Sequence, residues 1–463
     1  MSKRLASFRV GRVKAYLRGR IWYLCYYEHG VRRRPRVGPD KDTARLLAAQ
    51  TNAQLESGAP PVLSFEAVSI PKLRDLWLSH HEHVLRSSLQ SIRRYRSATQ
   101  HLDDFVTRIQ PVRDASRFGV REAEGFVRYL RTLRVSPNGH PRSARRPLYD
   151  KGIRFILEAG RAMFNYAARR RHLSPYAPNP FSELQLDRLP MEHGRVVSIF
   201  SEAQERAFLE NCDEWQFPLF LTLIMTGMRP GEASHLLFPE DVNFAGRLLT
   251  IRNRPNLGWK VKTGNERTIP MVDELVAVLQ RSLGPRKAGP LFRRRRFETA
   301  ESIGCHENTA VAMENESKKR VLELECTGQQ LLREEIQSIS DRIWRKNGIL
   351  KNEQIRREYL RVCRKACIAE STSPKSLRHL FATRLQSANT DPLIRMELMG
   401  HAFRNDGSAP GLGMTARYTH TRPELRFGQL QLALEDSPAM DVARNRIKRE
   451  LLQGNRRNSY QIV

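Results

Sequence analysis

Three residues near the C-terminal end of the chain, Arg378, His401 and Tyr418, have side chains suited to work on a phosphate. They lie in a stretch from Ser376 to His420 that reads Ser-Leu-Arg-His-Leu-Phe-Ala-Thr-Arg-Leu, then Leu-Met-Gly-His, then Thr-Ala-Arg-Tyr-Thr-His. An arginine can grip two phosphate oxygens at once. A histidine can donate a hydrogen bond or move a proton, and a tyrosine oxygen can attack phosphorus. Two further cations stand earlier. Arg229 ends Thr-Gly-Met-Arg just before Pro230-Gly231-Glu232, where a guanidinium and a helix N-terminus would both favour an anion. Lys262 precedes the turn Thr263-Gly264-Asn265. Taken singly, Arg229 reads as a surface arginine and Lys262 as a solvated hairpin lysine.

Several elements must position these groups. Ser201-Glu-Ala-Gln has the pattern of a capping box that opens a helix. The apolar run Phe217 to Met225 leads into the glycine before Arg229, and Glu232 is placed to orient that arginine. Leu248–Ile251, Trp259–Lys262 and Arg267–Pro270 read as strands of a small sheet, with Lys262 at a hairpin tip. Between the sheet and the Arg378 region lies an insertion at about 293–350. It is polar and mixed and reads as a solvated insertion that contacts a polyanion such as DNA or a neighbouring protomer; within and beyond it, Leu331 to Ile368 reads as one or two charged amphipathic helices. Pro423 to Leu434 reads as a short amphipathic helix carrying Leu425, Leu430, Leu432 and Leu434, and 437–463 as a basic, mobile tail.

Charge sets the class of partner. The 463 residues hold 79 Lys+Arg against 49 Asp+Glu, a net charge of +30. Such a surplus points to a polyanion, most commonly nucleic acid. No apolar run is long enough to cross a bilayer and no secretory leader opens the chain, so a cytoplasmic protein with no membrane partner is expected. The six cysteines are scattered and form no disulfide framework. Cys305-His306 with Cys326, and Cys363 with Cys367, fit no common zinc module, so neither metal nor cofactor is expected.

The fold class read from these patterns is mainly α with small β-sheets, in three domains. Residues 1–58 form a basic three-stranded sheet with one helix, starting near Lys41. The first 45 residues alone hold 13 Lys+Arg and 3 Asp+Glu, and Arg32, Arg33, Arg34 and Arg36 crowd its last strand. A basic sheet of this kind can lie in a DNA major groove. After a Gly-Pro linker, 62–190 read as four helices with arginines along them, Arg93, Arg94 and Arg96 among them. That pattern suits a helical clamp on duplex phosphates. Residues 196–436 form a mixed α+β catalytic domain.

The boxes Thr226 to Leu237, Lys262-Thr263-Gly264, Leu377-Arg378-His379, Leu398-Met399-Gly400-His401 and Tyr418 occur in one order. Together they resemble the tyrosine recombinase, or phage integrase, family from Ser201 to about Glu435, and domain order extends the likeness over most of the chain. The N-terminal sheet resembles the family's arm-binding domains. The resemblance implies that Arg229 and Arg378 hold the scissile phosphate, that His401 donates to it, and that Lys262 protonates the departing 5′ oxygen. Tyr418 would be the nucleophile, leaving a 3′-phosphotyrosyl link. Double-stranded DNA at recombination sites is the implied partner, and a homotetramer exchanging strands through a Holliday junction the implied assembly.

Two departures stand out. Where the family usually has histidine three residues before the second arginine, this chain has Lys375, a poorer base at neutral pH. His401 and Tyr418 are 17 residues apart, longer than is usual, with a Gly-rich stretch from Asn405 to Gly413 between them. His379 is expected to be structural. Other readings of the same residues are a DNA-binding regulator with a weakened site, and a type IB topoisomerase that relaxes DNA without pairing sites.

Overall fold

The computed structural model describes residues 6–136, 142–174, 177–189, 198–297, 308–328, 330–401 and 421–459. It divides into two units, residues 1–194 and 195–463.

The first unit holds two cores. In the N-terminal one, the alternating run from Ser7 folds as a hairpin, β1 (Ser7–Val10) and β2 (Val13–Arg18), because Gly11 takes a positive φ at the turn. β3 (Ile21–Glu28) pairs with β2 on one side. On the other it pairs with β4 (Val31–Arg33) and β5 (Arg36–Gly38), the two pieces of the expected third strand. Period-two alternation sends Trp22, Leu24 and Tyr26 inward against Ala44, Leu47 and Ala48 of α1 (Lys41–Glu56). Asp40 caps α1 by accepting from Thr43 N at 2.7 Å. The Gly-Pro linker is tied to this core, since Leu63 is buried in it and Ser64 Oγ donates to Glu28 at 2.6 Å.

The helical core comprises α2 (Ile70–Ser79), α3 (Leu89–Asp104), α4 (Val120–Thr132) and α5 (Asp150–Arg169). Leu73, Trp77, Ile92, Leu102, Phe126 and Phe164 are among its buried residues. Val84 is 65% exposed, because it lies past the end of α2 where the helix widens.

The second unit is built on α7 (Gln216–Thr226), every residue of which is buried. A helix apolar all round belongs at the centre of a core. Around it stand α6 (Glu202–Glu210), α9 (Asp273–Leu283), α12 (Asn352–Lys365) and α13 (Lys375–Ser387). The capping box is reciprocal: Gln204 N donates to Ser201 Oγ at 3.2 Å and Ser201 N to Gln204 Oε1 at 3.0 Å.

The small sheet differs from expectation. Its order is β8–β7–β6, with β6 Val242–Asn243, β7 Leu248–Ile251 and β8 Arg267–Pro270. Trp259–Lys262 is not a strand. It belongs to a loop, 252–266, in which Asn253 does the work of a ladder: its Oδ1 accepts from Val261 N at 2.9 Å and its Nδ2 donates to Gly264 O at 2.8 Å.

Three C-terminal expectations also change. The insertion supplies two helices, α10 (Ala310–Glu325) and α11 (Arg333–Lys346), which share a core with Leu237 and Leu257. In the Pro423–Leu434 helix, Leu430 and Leu434 are buried in this unit's own core, while Leu425 and Leu432 face solvent. The expected mobile tail begins as a helix, Pro438–Ser459. Its Ala439, Met440, Val442 and Ala443 are buried in the main core, and Arg206–Asp441 and Arg444–Glu274 ion pairs fasten it to α6 and α9. Four apolar residues in one polar stretch were enough to dock it.

Candidate phosphate-binding site

The site begins where α7 ends. Gly227 takes φ +60°, and a Cβ there would sit 2.2 Å from the Phe381 ring, so backbone conformation and packing both require glycine. Its carbonyl is thereby turned to accept from Arg378 Nη1 at 2.6 Å. Two residues on, Arg229 caps the short helix α8 (Pro230–Ser234). Its backbone N–H and its Nη1 donate to the two oxygens of Glu232, at 2.9 and 2.7 Å.

Glu232 is shared. Arg267, at the start of β8, donates to the same carboxylate from Nη1 at 3.2 Å and Nη2 at 2.7 Å. Burial alone would raise the Glu232 pKa. The bonds and charge of Arg267, then the bonds from Arg229, outweigh it and hold the carboxyl below its usual value. Arg267 escapes sequence reasoning because nothing local distinguishes it from Arg252 or Arg254. Only the Ile251↔Arg267 register carries it to the site.

α14 (Pro392–Met399) ends at the same place. Its last carbonyls have no partners within the helix, and they are taken up in succession. Arg267 Nε donates to Leu398 O at 3.1 Å, Arg378 Nη2 to Met399 O, and Thr263 Oγ1 to Gly400 O at 3.5 Å. A Cβ on Gly400, itself at φ +61°, would strike the Arg267 guanidinium at 2.5 Å. His401 follows directly, its N–H donating to Met396 O at 3.1 Å. The loop carrying Lys262 is thus tied through its neighbour Thr263 to the residue before His401.

Positive charge shapes the titration here. Burial, then the charge of Arg229 with a smaller contribution from Arg267, pushes Arg378 down to about 10 against the pull of Glu232. It remains a cation at neutral pH. Partial burial, then Arg378, Arg229 and Arg267, lower the His401 pKa, so its imidazole is a neutral hydrogen-bonding group rather than another cation. An anion at this point would relieve the repulsion among the three arginines.

Lys375 opens α13 and is exposed, one helical turn before Arg378. Lys262 is exposed. His379, expected to be structural, is exposed on α13 as well, because the inward positions of that helix go to Leu377, Leu380 and Phe381. Tyr418 lies outside the described residues, as do Cys305 and His306. The chain is described again at Thr421, whose Oγ1 donates to Glu397 Oε1 of α14 at 3.1 Å. Tyr359 is fully buried, with its hydroxyl engaged by Ser371 and Ser376, and burial raises its pKa.

The phage integrase family model matches residues 196–424. This segment is a phage integrase domain. Its fold is that of the tyrosine recombinases. Two solved structures align with this chain as a fold. The Tn1549 transposon integrase in complex with a circular intermediate DNA has 18% identity and a TM-score of 0.50, covering 80% of this chain and 99% of that one. The same integrase in complex with transposon right end DNA has 17% identity and a TM-score of 0.50, covering 79% and 99%. No curated protein matches the sequence.

The arginines expected to meet DNA lie in the first unit. Cross-strand register puts Arg32 opposite Tyr27 and Arg36 opposite Tyr23, on the sheet face turned away from α1, where Tyr16 and Tyr23 stack at 5.8 Å. Arg34 is exposed between β4 and β5. Arg33 departs from the other three: it sits opposite the buried Tyr26 and bonds Glu28 Oε2 at 3.1 Å. Arg93, Arg94 and Arg96 are exposed on α3, with Arg94 over the Phe155 ring at 4.2 Å. Among the described residues no helix is long and apolar enough to cross a membrane, and no group of three or more His, Cys, Asp or Glu could hold a metal ion.

Proposed function

We propose that this integrase is a site-specific DNA recombinase of a mobile element that cleaves and rejoins double-stranded DNA through a 3′-phosphotyrosyl intermediate at Tyr418. The observation that carries the reading is the gathering of Arg229, Arg267 and Arg378 around one buried carboxylate and the end of α14, next to His401.

In the proposed reaction Arg229 and Arg378 hold the non-bridging oxygens of the scissile phosphate and stabilise the charge of the five-coordinate transition state. His401, neutral, donates one hydrogen bond to the same phosphate. The Tyr418 oxygen bonds to phosphorus and loses its proton, a loss that the cationic surroundings favour and for which Lys375 stands in for the family's usual histidine. The bond from phosphorus to the 5′ oxygen breaks, and Lys262 supplies the proton that oxygen takes. The phosphotyrosine conserves the bond energy, so rejoining reverses the steps without ATP. Pairs of cleaved strands exchange through a Holliday junction in a homotetramer, with the basic sheet of residues 1–58 on a second DNA segment.

The test is a trapping assay on a nicked DNA carrying the end of the integrase's own element. Wild type is expected to give a covalent protein–DNA band on a denaturing gel, and Tyr418→Phe none, with DNA binding retained. Binding without a covalent band from wild type would instead support a regulator with a weakened site, for which Lys375 is the residue to blame. Relaxation of supercoiled DNA without paired sites would support the topoisomerase reading.

A further inference from the structure

The insertion helices α10 and α11 have an apolar face, and the structure shows what covers it. The loop 252–266 does. Leu257, fully buried, packs among Ala310, Met313, Ile339, Ile343 and Trp344. Trp344 Nε1 donates to Leu257 O at 2.9 Å, and Asn256 Nδ2 to Glu314 Oε2 at 3.0 Å. Gly258, at φ +63°, lies so close to α11 that a Cβ would meet the Gln337 side chain at 2.6 Å.

From this clamped segment the chain runs directly to the proposed general acid. Arg254 and Trp259 exchange backbone hydrogen bonds at 2.9 and 3.0 Å, closing the base of the turn that holds Leu257. Arg254 is itself buried and paired with Asp241 at 2.7 Å. Trp259 stacks on His235 at 3.6 Å between ring centres and 7° between planes, and Trp344 meets the His235 ring edge-on at 4.9 Å. Val261 is then buried in the main core and bonded to Asn253, and Lys262 is the next residue, in a turn closed by Gly264 N to Val261 O at 2.8 Å. A loop of fifteen residues, 252–266, would otherwise be free to move its lysine by more than catalysis tolerates.

We propose that the α10–α11 insertion is a positioning device for Lys262, with Trp344 as its key residue: it holds the loop so that the ammonium group meets the departing 5′ oxygen. This deepens the proposed recombinase chemistry and rests on it.

A leaving group that needs no proton separates positioning of an acid from general damage. In DNA with sulfur in place of the bridging 5′ oxygen at the scissile phosphate, the thiolate departs unprotonated, because a thiol is far more acidic than an alcohol. Cleavage by full-length wild type, Lys262→Ala, Trp344→Ala and Trp344→Phe would be timed on matched oxygen and sulfur substrates. Trp344→Phe keeps a ring in the cluster while removing the bond to Leu257 and part of the ring area, so it answers the question if Trp344→Ala does not fold. On oxygen DNA, Lys262→Ala is expected to lose roughly 100-fold or more, the usual worth of a general acid. Trp344→Ala should lose about tenfold and Trp344→Phe less, as expected for a displaced rather than a missing group. On sulfur DNA all three should approach the wild-type rate. Equal slowing on both substrates, or no slowing by either folded Trp344 variant, overturns the positioning role. Failure of wild type to form a covalent complex with either substrate overturns the recombinase reading, and this inference with it.

Discussion

Arg229 and Arg267 share a carboxylate that is only 3% exposed, and their bonds and charge outweigh burial to keep Glu232 ionised there. Removing one partner of a buried ion pair leaves the other charge uncompensated. Glu232→Gln keeps the shape and removes the charge, so it tests that balance. The variant is expected to lose about 3 kcal/mol of stability in denaturant titration of the protein. Arg378 should fall further in pKa, since Glu232 is the group that supports its charge. Cleavage should fall with it even under conditions where the variant remains folded. A variant as stable as wild type would show that the arginines do not need this carboxylate.

At the scale of elements, the contact between α8 and the 252–266 loop runs through His235. Its Nδ1–H donates to Gly231 O at 2.7 Å while its ring lies flat on Trp259. Burial, with Arg254 adding to it, pushes the His235 pKa down to about 4 from an ordinary 6.5. The folded form therefore binds the proton more weakly than the unfolded chain. The sign follows: stability from this group is complete above pH 6.5 and is lost as pH falls from there through about 4. The full loss is about 3 kcal/mol at most. His235→Asn should flatten the acid limb of stability against pH between those values, measured by denaturant midpoints at a series of pH values. An unchanged limb would assign the acid sensitivity elsewhere. The same element shows why Trp259–Lys262 misled as a strand. Its alternation is real, but Asn253 and the insertion helices satisfy the segment in place of a neighbouring strand.

For the whole molecule the net charge of +30 predicts binding to DNA that weakens steeply with salt. The contributions are separable. Replacing Arg32, Arg34 and Arg36 by Gln should lower the slope of log affinity against log salt by roughly 0.9 for each phosphate that is no longer neutralised. Arg33→Gln should change the slope least, because its guanidinium is engaged by Glu28. Fluorescence anisotropy on labelled duplex at several salt concentrations checks both. A slope indifferent to all four would remove the sheet from the DNA-binding surface.

Much of this protein was legible in its residues. Periodicity and capping located the N-terminal sheet and its helix, the four helices that follow, and the apolar α7, because these depend on neighbours in the chain. Arg229, Glu232, Arg378 and His401 were legible as boxes, and the structure brings them to one place. Other features could not be read because they depend on partners far away in sequence. Arg267 becomes part of the site through strand register and a bond to Leu398, 131 residues later. The stretch after Ser437 looks like tail until the groove beside α6 and α9 buries four of its residues. The insertion looks solvated until Trp344 reaches Leu257, 87 residues earlier. Local pattern determines which elements form, whereas burial and charge pairing are decided only when distant segments meet.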